Sequence, residues 1–107
     1  MPSQVERLAV LKPKPASLER VKHLFTTLAA QVLAWEDGCC GYTVWVQTEA
    51  PATPNVIVHE RYVSEEAFAE HVNTEHFLEM AAALATEDLL REPLTLEESA
   101  VARLAGD

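Results

Sequence analysis

Residues 56–80, VIVHERYVSEEAFAEHVNTEHFLEM, decide the fold of this 107-residue chain. The first eight residues of this stretch are rich in β-branched and aromatic side chains, which indicates a strand. Ser64 and Thr74 are each suited to cap a helix, and Asn73 suits a break between two helices. Three of the four histidines fall here beside several carboxylates. We therefore expect a strand, two short helices and most of any functional site within this stretch.

Two elements that precede this stretch are clear in the sequence. Residues 5–12 alternate loosely with apolar side chains on both faces, which predicts a central strand covered on both sides. From residue 18 to residue 35 the apolar side chains form a stripe with the helical period, which predicts an amphipathic helix. We expect Ser17 to cap its first turn and Gly38 to end it as a left-handed C-terminal cap.

Three further segments complete the predicted sheet. Residues 42–47, YTVWVQ, favour a strand, and a proline-rich loop over residues 48–55 would join it to the strand at residues 56–63. A last strand is predicted over residues 94–103. The order β-α-β-β-α(α)-β is that of the ferredoxin-like fold. We thus predict a single α+β domain, residues 1–107, in which a four-stranded antiparallel sheet carries its helices on one face.

The other face of this sheet is predicted to be unusually apolar. Ile57 and Val63 should point to it, together with either Trp45 or the opposite side of the Trp45 strand. A monomer rarely exposes so large an apolar surface. We therefore predict a homodimer in which two sheets pack face to face and form a dimeric α+β barrel.

Composition excludes some partners and indicates a location. The formal charge of −9 argues against nucleic acid and against an anionic membrane surface, since both attract clustered Lys and Arg. No segment has transmembrane length, and residues 1–10 lack the features of a secretory signal. Cys39 and Cys40 are adjacent, which gives neither a disulfide framework nor a zinc motif. Free thiols fit a reducing compartment, so we predict a cytoplasmic protein.

Several short motifs resemble those of a known family. Residues 36–42, EDGCCGY, are similar to an acidic-x-Gly-Cys-x-x-Tyr turn into a strand. Residues 58–71, VHERYVSEEAFAEH, are similar to a strand ending in Glu-Arg-aromatic and followed by Ala-Phe-x-x-His on a helix. Residues 73–77, NTEHF, and 92–94, EPL, also fit. The chain, over about residues 4–104, resembles the antibiotic biosynthesis monooxygenase-like family of the dimeric α+β barrel superfamily, which includes quinol and anthrone monooxygenases.

This resemblance implies a cofactor-independent monooxygenase whose substrate itself reduces dioxygen. The substrate would be a small electron-rich aromatic such as a quinol, an anthrone or a related polyketide. The chain has no glycine-rich phosphate loop, so no nucleotide cofactor is expected. Haem-degrading relatives have an Asn on the first strand and a Trp at the end of the third strand. Here the first strand has no Asn and position 62 is Tyr, so we expect no haem.

Strand parity and helical phase bring three candidate catalytic residues to one pocket. Glu60 and Tyr62 share a strand face that should look towards the helices, because the following helix folds back over its own strand. His71 lies on the inner stripe of that helix and should face Glu60 across a mostly apolar cavity. In the monooxygenase hypothesis His71 is the base, Glu60 orients it, and Tyr62 donates a hydrogen bond to the substrate oxygen.

The sequence also predicts the walls of this pocket, at a size that suits an aromatic ligand. His76 follows a helix start, so we expect it at the pocket mouth or in solvent. His71 and His76 are five residues apart across a helix break, which is not the i, i+4 spacing of a helical metal pair. We therefore predict no metal site. The predicted pocket residues are Tyr42, Phe68, His76, Phe77 and Met80.

Other interpretations of the same residues remain open. Glu60 and His71 could form a structural hydrogen bond that ties helix to sheet, and Tyr62 could be a core aromatic. The same acid–base pair could serve an isomerase, a cyclase or a dehydratase, because this fold hosts many reactions. The chain could also be a non-catalytic dimer that binds a small ligand.

Overall fold

The computed structural model describes residues 5–47, 53–93 and 95–98, the last of these as backbone only. Its elements are β1 (Val5–Leu11), a 3-10 turn (Pro15–Ser17), α1 (Leu18–Trp35), β2 (Cys39–Val46), β3 (Val56–Tyr62), α2 (Glu65–His71), α3 (Glu75–Thr86) and β4 (Thr95–Glu98). Every strand pair is antiparallel, in the order β2-β3-β1-β4. The predicted ferredoxin-like α+β fold is confirmed. Residues 48–52 of the predicted loop, and 94 and 99–103 of the predicted last strand, lie outside the described residues.

The sheet has one buried face, which lies under the helices. In β3 every second residue is buried, and this set includes Glu60 and Tyr62, as strand parity predicted. The stripe of α1 packs against this face through Val21, Phe25, Leu28 and Val32. In the described part of the chain no helix is long and apolar enough to cross a bilayer.

The second face of the sheet is only partly covered within one chain. β1 alternates between buried and half-buried residues, so it is not enclosed on both sides as the sequence predicted. The strand register places Trp45 opposite Ile57, and Ile57 opposite Val10. Trp45 is 58% exposed. The register thus assigns Trp45 to the open face, together with two aliphatic neighbours.

Two of the predicted helix caps are confirmed. Ser64 Oγ accepts a hydrogen bond from the backbone N–H of Ala67 at 3.1 Å. Thr74 Oγ1 accepts one from the N–H of Phe77 at 3.3 Å. These bonds satisfy backbone donors that the first turn of a helix leaves without a partner. They set where α2 and α3 begin.

Ser17 holds the predicted N-cap position of α1, whereas the predicted Gly38 C-cap is wrong. Ser17 is the last residue of the 3-10 turn that leads into the helix, and its side chain makes no capping hydrogen bond. At the other end the chain leaves α1 at Glu36 in an extended conformation, and Gly38 is not left-handed. A Cβ at Gly38 would lie 2.6 Å from the Cβ of Ala67. Glycine is needed here for the close approach of the α1–β2 turn to α2.

Candidate functional site

A cavity of about 550 Å³ lies between the buried face of the sheet and the helices. Four of the five predicted pocket residues line it, and His76 does not. The carboxylate-bearing residue in its buried part is Glu60, which is 6% exposed. The lining residues are Ala9, Phe25, Tyr42, Glu60, Phe68, Phe77, Met80, Ala81, Leu84, Ala85, Asp88, Leu90, Arg91, Glu92 and Pro93.

The Glu60 side chain is held by two neighbours at the base of the cavity. The Tyr62 hydroxyl donates a hydrogen bond to Glu60 Oε1 at 2.6 Å, and His71 Nε2 lies 3.5 Å from the same oxygen. Burial raises the pKa of Glu60, while the Tyr62 hydrogen bond and the His71 charge act in the opposite direction. Burial and the adjacent carboxylate raise the pKa of Tyr62, so its hydroxyl stays protonated and can donate. Glu60 is therefore a desolvated carboxylate in a fixed position.

Tyr42 supplies a second polar group to the cavity wall. It lies on β2 directly opposite Glu60 on β3 and is 6% exposed. Burial, and then the charge of Glu60, raise the pKa of Tyr42. Its phenol therefore stays protonated and is available as a hydrogen-bond donor beside Glu60.

His71 lies behind Glu60 rather than in the cavity wall. It is 1% exposed and is not among the cavity-lining residues. Four aromatic rings surround His71 at centroid distances of 5.1 to 6.1 Å, those of Tyr42, Tyr62, Phe68 and Phe77. Glu60, Tyr62 and His71 lie together, but of the three only Glu60 lines the cavity, so the predicted placement of Tyr62 and His71 in its wall is wrong. The sequence did not show that Glu60 would stand between His71 and the cavity.

A carboxylate that sequence reasoning missed, Glu36, joins the two histidines of the opening stretch. His71 Nδ1 lies 2.9 Å from Glu36 Oε2 and 3.0 Å from Oε1. His76 Nε2 lies 2.6 Å from Glu36 Oε2. The His76 side chain is only 14% exposed, so it is not at the surface as expected. One donor atom from each of the three residues lies within 4.8 Å of the others, so this group could hold a metal ion.

The break between α2 and α3 explains how two histidines five residues apart reach one carboxylate. In a continuous helix they would be about 140° apart around the axis. Here α2 ends at His71, and the Thr74 hydroxyl donates to the His71 carbonyl at 2.7 Å while it caps α3. The chain is thereby redirected, and His76 in the first turn of α3 faces Glu36. Glu36 opens the EDGCCGY motif, but that motif does not indicate which side chains Glu36 contacts.

The remaining histidines and the cysteines lie elsewhere. His59 is on the open sheet face, 3.3 Å from Glu6 Oε1, as its strand parity predicted. His23 lines a second cavity of about 250 Å³, which also has His76 in its wall. The Cys39 thiol donates to the Gly41 carbonyl at 3.3 Å, and burial raises its pKa, while Cys40 is exposed. A raised pKa disfavours the thiolate that a cysteine nucleophile needs.

Several solved structures share this fold over nearly the whole chain. Rv0793 from Mycobacterium tuberculosis is 25% identical, with a TM-score of 0.83 and coverage of 97% of this chain and 100% of that one. A protein of Caulobacter crescentus CB15 described as a candidate antibiotic biosynthesis monooxygenase is 27% identical, with a TM-score of 0.78 and coverage of 94% and 91%. PA3566 from Pseudomonas aeruginosa shares the fold at 24% identity, with a TM-score of 0.80 and coverage of 98% and 99%.

The family comparison covers the elements that build the site. No curated protein matches the chain. The family model described as antibiotic biosynthesis monooxygenase matches residues 5–83, which run from β1 into α3 and include Glu36, Glu60, His71 and His76. The match extends over well more than half of the 107 residues. The chain therefore belongs to the antibiotic biosynthesis monooxygenase family.

Proposed function

We propose that this protein is a cofactor-independent monooxygenase that oxidises an electron-rich aromatic, of the quinol, anthrone or polyketide type, with dioxygen. The observation that carries the proposal is the apolar cavity of about 550 Å³ with the Glu60 carboxylate in its buried wall. Its volume suits a small aromatic molecule, and Phe68 and Phe77 are aromatic residues in its wall. Membership of the family supports monooxygenase-type chemistry in general. The substrate class is the one that the family resemblance implies, and the size and apolar lining of the cavity are compatible with it.

Glu60 is the group that we expect to take the substrate proton. Its burial disfavours the charged carboxylate and makes it a stronger base than an exposed Glu. Tyr62 and His71 both contact Oε1, so Oε2 is the oxygen that would accept a proton from the substrate. The Tyr42 phenol, on the neighbouring strand, would donate a hydrogen bond to the developing oxyanion. His71, predicted from sequence to be the base, becomes a positioning residue.

The reaction balances without a further reductant. The substrate anion gives one electron to dioxygen, which forms superoxide and a substrate radical. These combine through a new carbon–oxygen bond to a peroxide. For a substrate with a reactive CH₂ group, protonation and loss of water then leave a carbonyl. The protein contributes the base, the donor and a mostly apolar cavity that holds the substrate beside them.

Oxygen consumption by metal-free protein tests this proposal. We expect uptake with anthrones or hydroquinones, with one oxygen atom of labelled dioxygen in the product. Glu60→Gln should lower kcat about 100-fold or more, as for the loss of a general base. His23→Gln, outside the cavity, is the matched control. Absence of oxygen uptake, full activity of Glu60→Gln, or turnover that continues without dioxygen would each overturn it. The last result would identify an isomerase, cyclase or dehydratase instead.

We also propose that two copies pair through the open sheet face. Trp45 and Ile57 give this face an apolar surface, and Val63 at its end is 42% exposed. Burial of such a surface against a second copy removes it from water.

The free thiols of Cys39 and Cys40 support the predicted cytoplasmic location.

A further inference from the structure

We propose that Glu36, His71 and His76 form a binding site for one divalent transition-metal ion of the zinc class. We call these three residues the Glu36 site. It lies behind Glu60 and not in the wall of the 550 Å³ cavity, so the proposal does not depend on the reaction proposed above. It also differs from the sequence-based prediction, which expected no metal site.

The donor set is the first reason. The Glu36 site offers one carboxylate oxygen and two imidazole nitrogens within 4.8 Å of one another. Two histidines and one carboxylate, with a fourth position left open, are a common ligand set for zinc. Imidazole nitrogen suits zinc and its transition-metal neighbours, whereas magnesium and calcium prefer oxygen ligands. The chemistry of the site therefore selects a transition-metal ion.

The spacing of the donors is the second reason. His71 Nδ1 and His76 Nε2 both point at Glu36 Oε2, at 2.9 and 2.6 Å. Around a tetrahedral ion with bonds near 2.1 Å, neighbouring donors would lie about 3.4 Å apart. Each nitrogen–oxygen pair therefore has to separate by less than about 1 Å, and the two nitrogens already lie within 4.8 Å of each other. The ion would take the place of the hydrogen bonds that now join the two imidazoles to the carboxylate.

The surroundings of His71 are the third reason. If Nδ1 binds an ion, the ring proton is on Nε2, which lies 3.5 Å from Glu60 Oε1. A metal-binding histidine typically donates its other N–H to a carboxylate or carbonyl, and this bond fixes the ring. The Tyr62 hydroxyl holds that carboxylate in turn. The aromatic rings around His71 leave it little room to rotate, so Nδ1 is already aimed at the ion position.

The second cavity adjoins the Glu36 site through one of its three ligands. His76 is part of its wall, and its volume of about 250 Å³ has room for a water ligand at the open position. Gln31 and Glu79 add polar groups to that wall. An ion could therefore reach the Glu36 site from the α1–α3 side without passing through the cavity proposed for the substrate.

Binding of Zn²⁺ and Co²⁺ to chelator-treated protein tests this inference. We expect one ion per chain by calorimetry and a visible absorption band of low-coordinate Co²⁺. Glu36→Gln and His76→Gln should each weaken binding about 100-fold or more, since even outer-shell partners change metal affinity 10- to 100-fold. His59→Gln, on the open sheet face, should bind as the wild type does. Circular dichroism establishes that each variant is folded.

A wild-type measurement keeps the inference testable if a variant fails to fold. On addition of Zn²⁺ alone, the imidazole NMR signals of His71 and His76 should move together, while those of His23 and His59 stay in place. No uptake by the wild type, uptake that survives both Glu36→Gln and His76→Gln, or movement of the His23 and His59 signals alone would each overturn it. The three side chains would then form only a hydrogen-bonded network. Oxygen uptake by metal-free protein is a separate measurement, so either proposal can fail alone.

Discussion

The contact between Gly38 and α2 can be tested by adding one methyl group. In Gly38→Ala the new Cβ would lie 2.6 Å from the Cβ of Ala67 and 3.6 Å from Cγ2 of Val63. Carbon atoms pack at about 3.5–4.0 Å, so the first contact is too short by about 1 Å. Both carbons are fixed to backbone and cannot rotate away. The turn or α2 itself must therefore move.

The expected cost follows from two opposing effects. Overpacking of a well-packed position costs about 1–3 kcal/mol. Alanine in place of a glycine that is not left-handed reduces the conformational entropy of the unfolded chain. This effect stabilises the folded state by about 0.4–1 kcal/mol. We expect Gly38→Ala to lose about 1–2 kcal/mol in the free energy of unfolding, measured by urea titration of metal-free protein. Because Gly38 follows Glu36 by two residues, the shift should also weaken the Glu36 contact with His71.

A double-mutant cycle with Ala67→Gly isolates the clash. Ala67→Gly alone should cost about 1 kcal/mol, because glycine is unfavourable within a helix. In the double variant the two methyl carbons no longer meet, so the combined loss should be smaller than the sum by about 1 kcal/mol or more. Additive losses, or a Gly38→Ala variant as stable as the wild type, would show that the close approach is not what requires glycine.

Three other predictions follow from the buried carboxylate and the open sheet face. Tyr62→Phe removes the 2.6 Å hydrogen bond to Glu60 and should cost about 1.5–3 kcal/mol in the free energy of unfolding; an unchanged denaturation midpoint would contradict it. Glu60 has a pKa above its ordinary value, so its contribution to stability is present at low pH and is lost as pH rises through the pKa of the folded protein. The stability of Glu60→Gln relative to wild type should therefore increase as pH rises from about 4, and a constant difference would count against a raised pKa. Trp45→Glu should convert the proposed dimer to a monomer in light scattering, whereas Leu33→Glu, a similarly exposed position on α1, should leave it paired; a dimer that survives Trp45→Glu would place the interface elsewhere.

Features that depend on local patterns were predictable from the sequence. The helical stripe from residue 18 to residue 35 matches α1 at both ends. Ser64 and Thr74 cap helices as expected, because a side-chain oxygen at that position has a backbone donor within its own turn. Strand parity placed Glu60 on the helix side, because alternation decides the face of a strand residue regardless of its distant neighbours.

Features that depend on how segments approach one another were not predictable. Strand parity predicts which face Glu60 is on, and helical phase predicts which face His71 is on. Neither shows which of the two side chains lies nearer the cavity. Glu36 comes after the last helical residue, where no periodic pattern assigns a direction to its side chain. Its contact with His76 requires both the tight approach at Gly38 and the change of chain direction after α2. Each of these arises from packing between elements far apart in sequence.

The Glu36 carboxylate, which contacts both His71 and His76, has a consequence for the rate of ligand exchange. Glu36 ties α2 and α3 to the end of α1 through buried contacts, so helix separation there would have to break several of them at once. The opposite side of the cavity is formed by residues 88–93, where Arg91 donates to the Pro13 carbonyl at 2.6 Å and to Asn55 Oδ1 at 2.7 Å. Backbone hydrogen bonds also join this segment to Lys12 and Lys14, but it lies nearer the surface than the Glu36 contacts and should open more easily. Ligands should therefore enter and leave past residues 88–93, and Arg91→Ala should speed their release while Glu60 and Tyr42 stay in place.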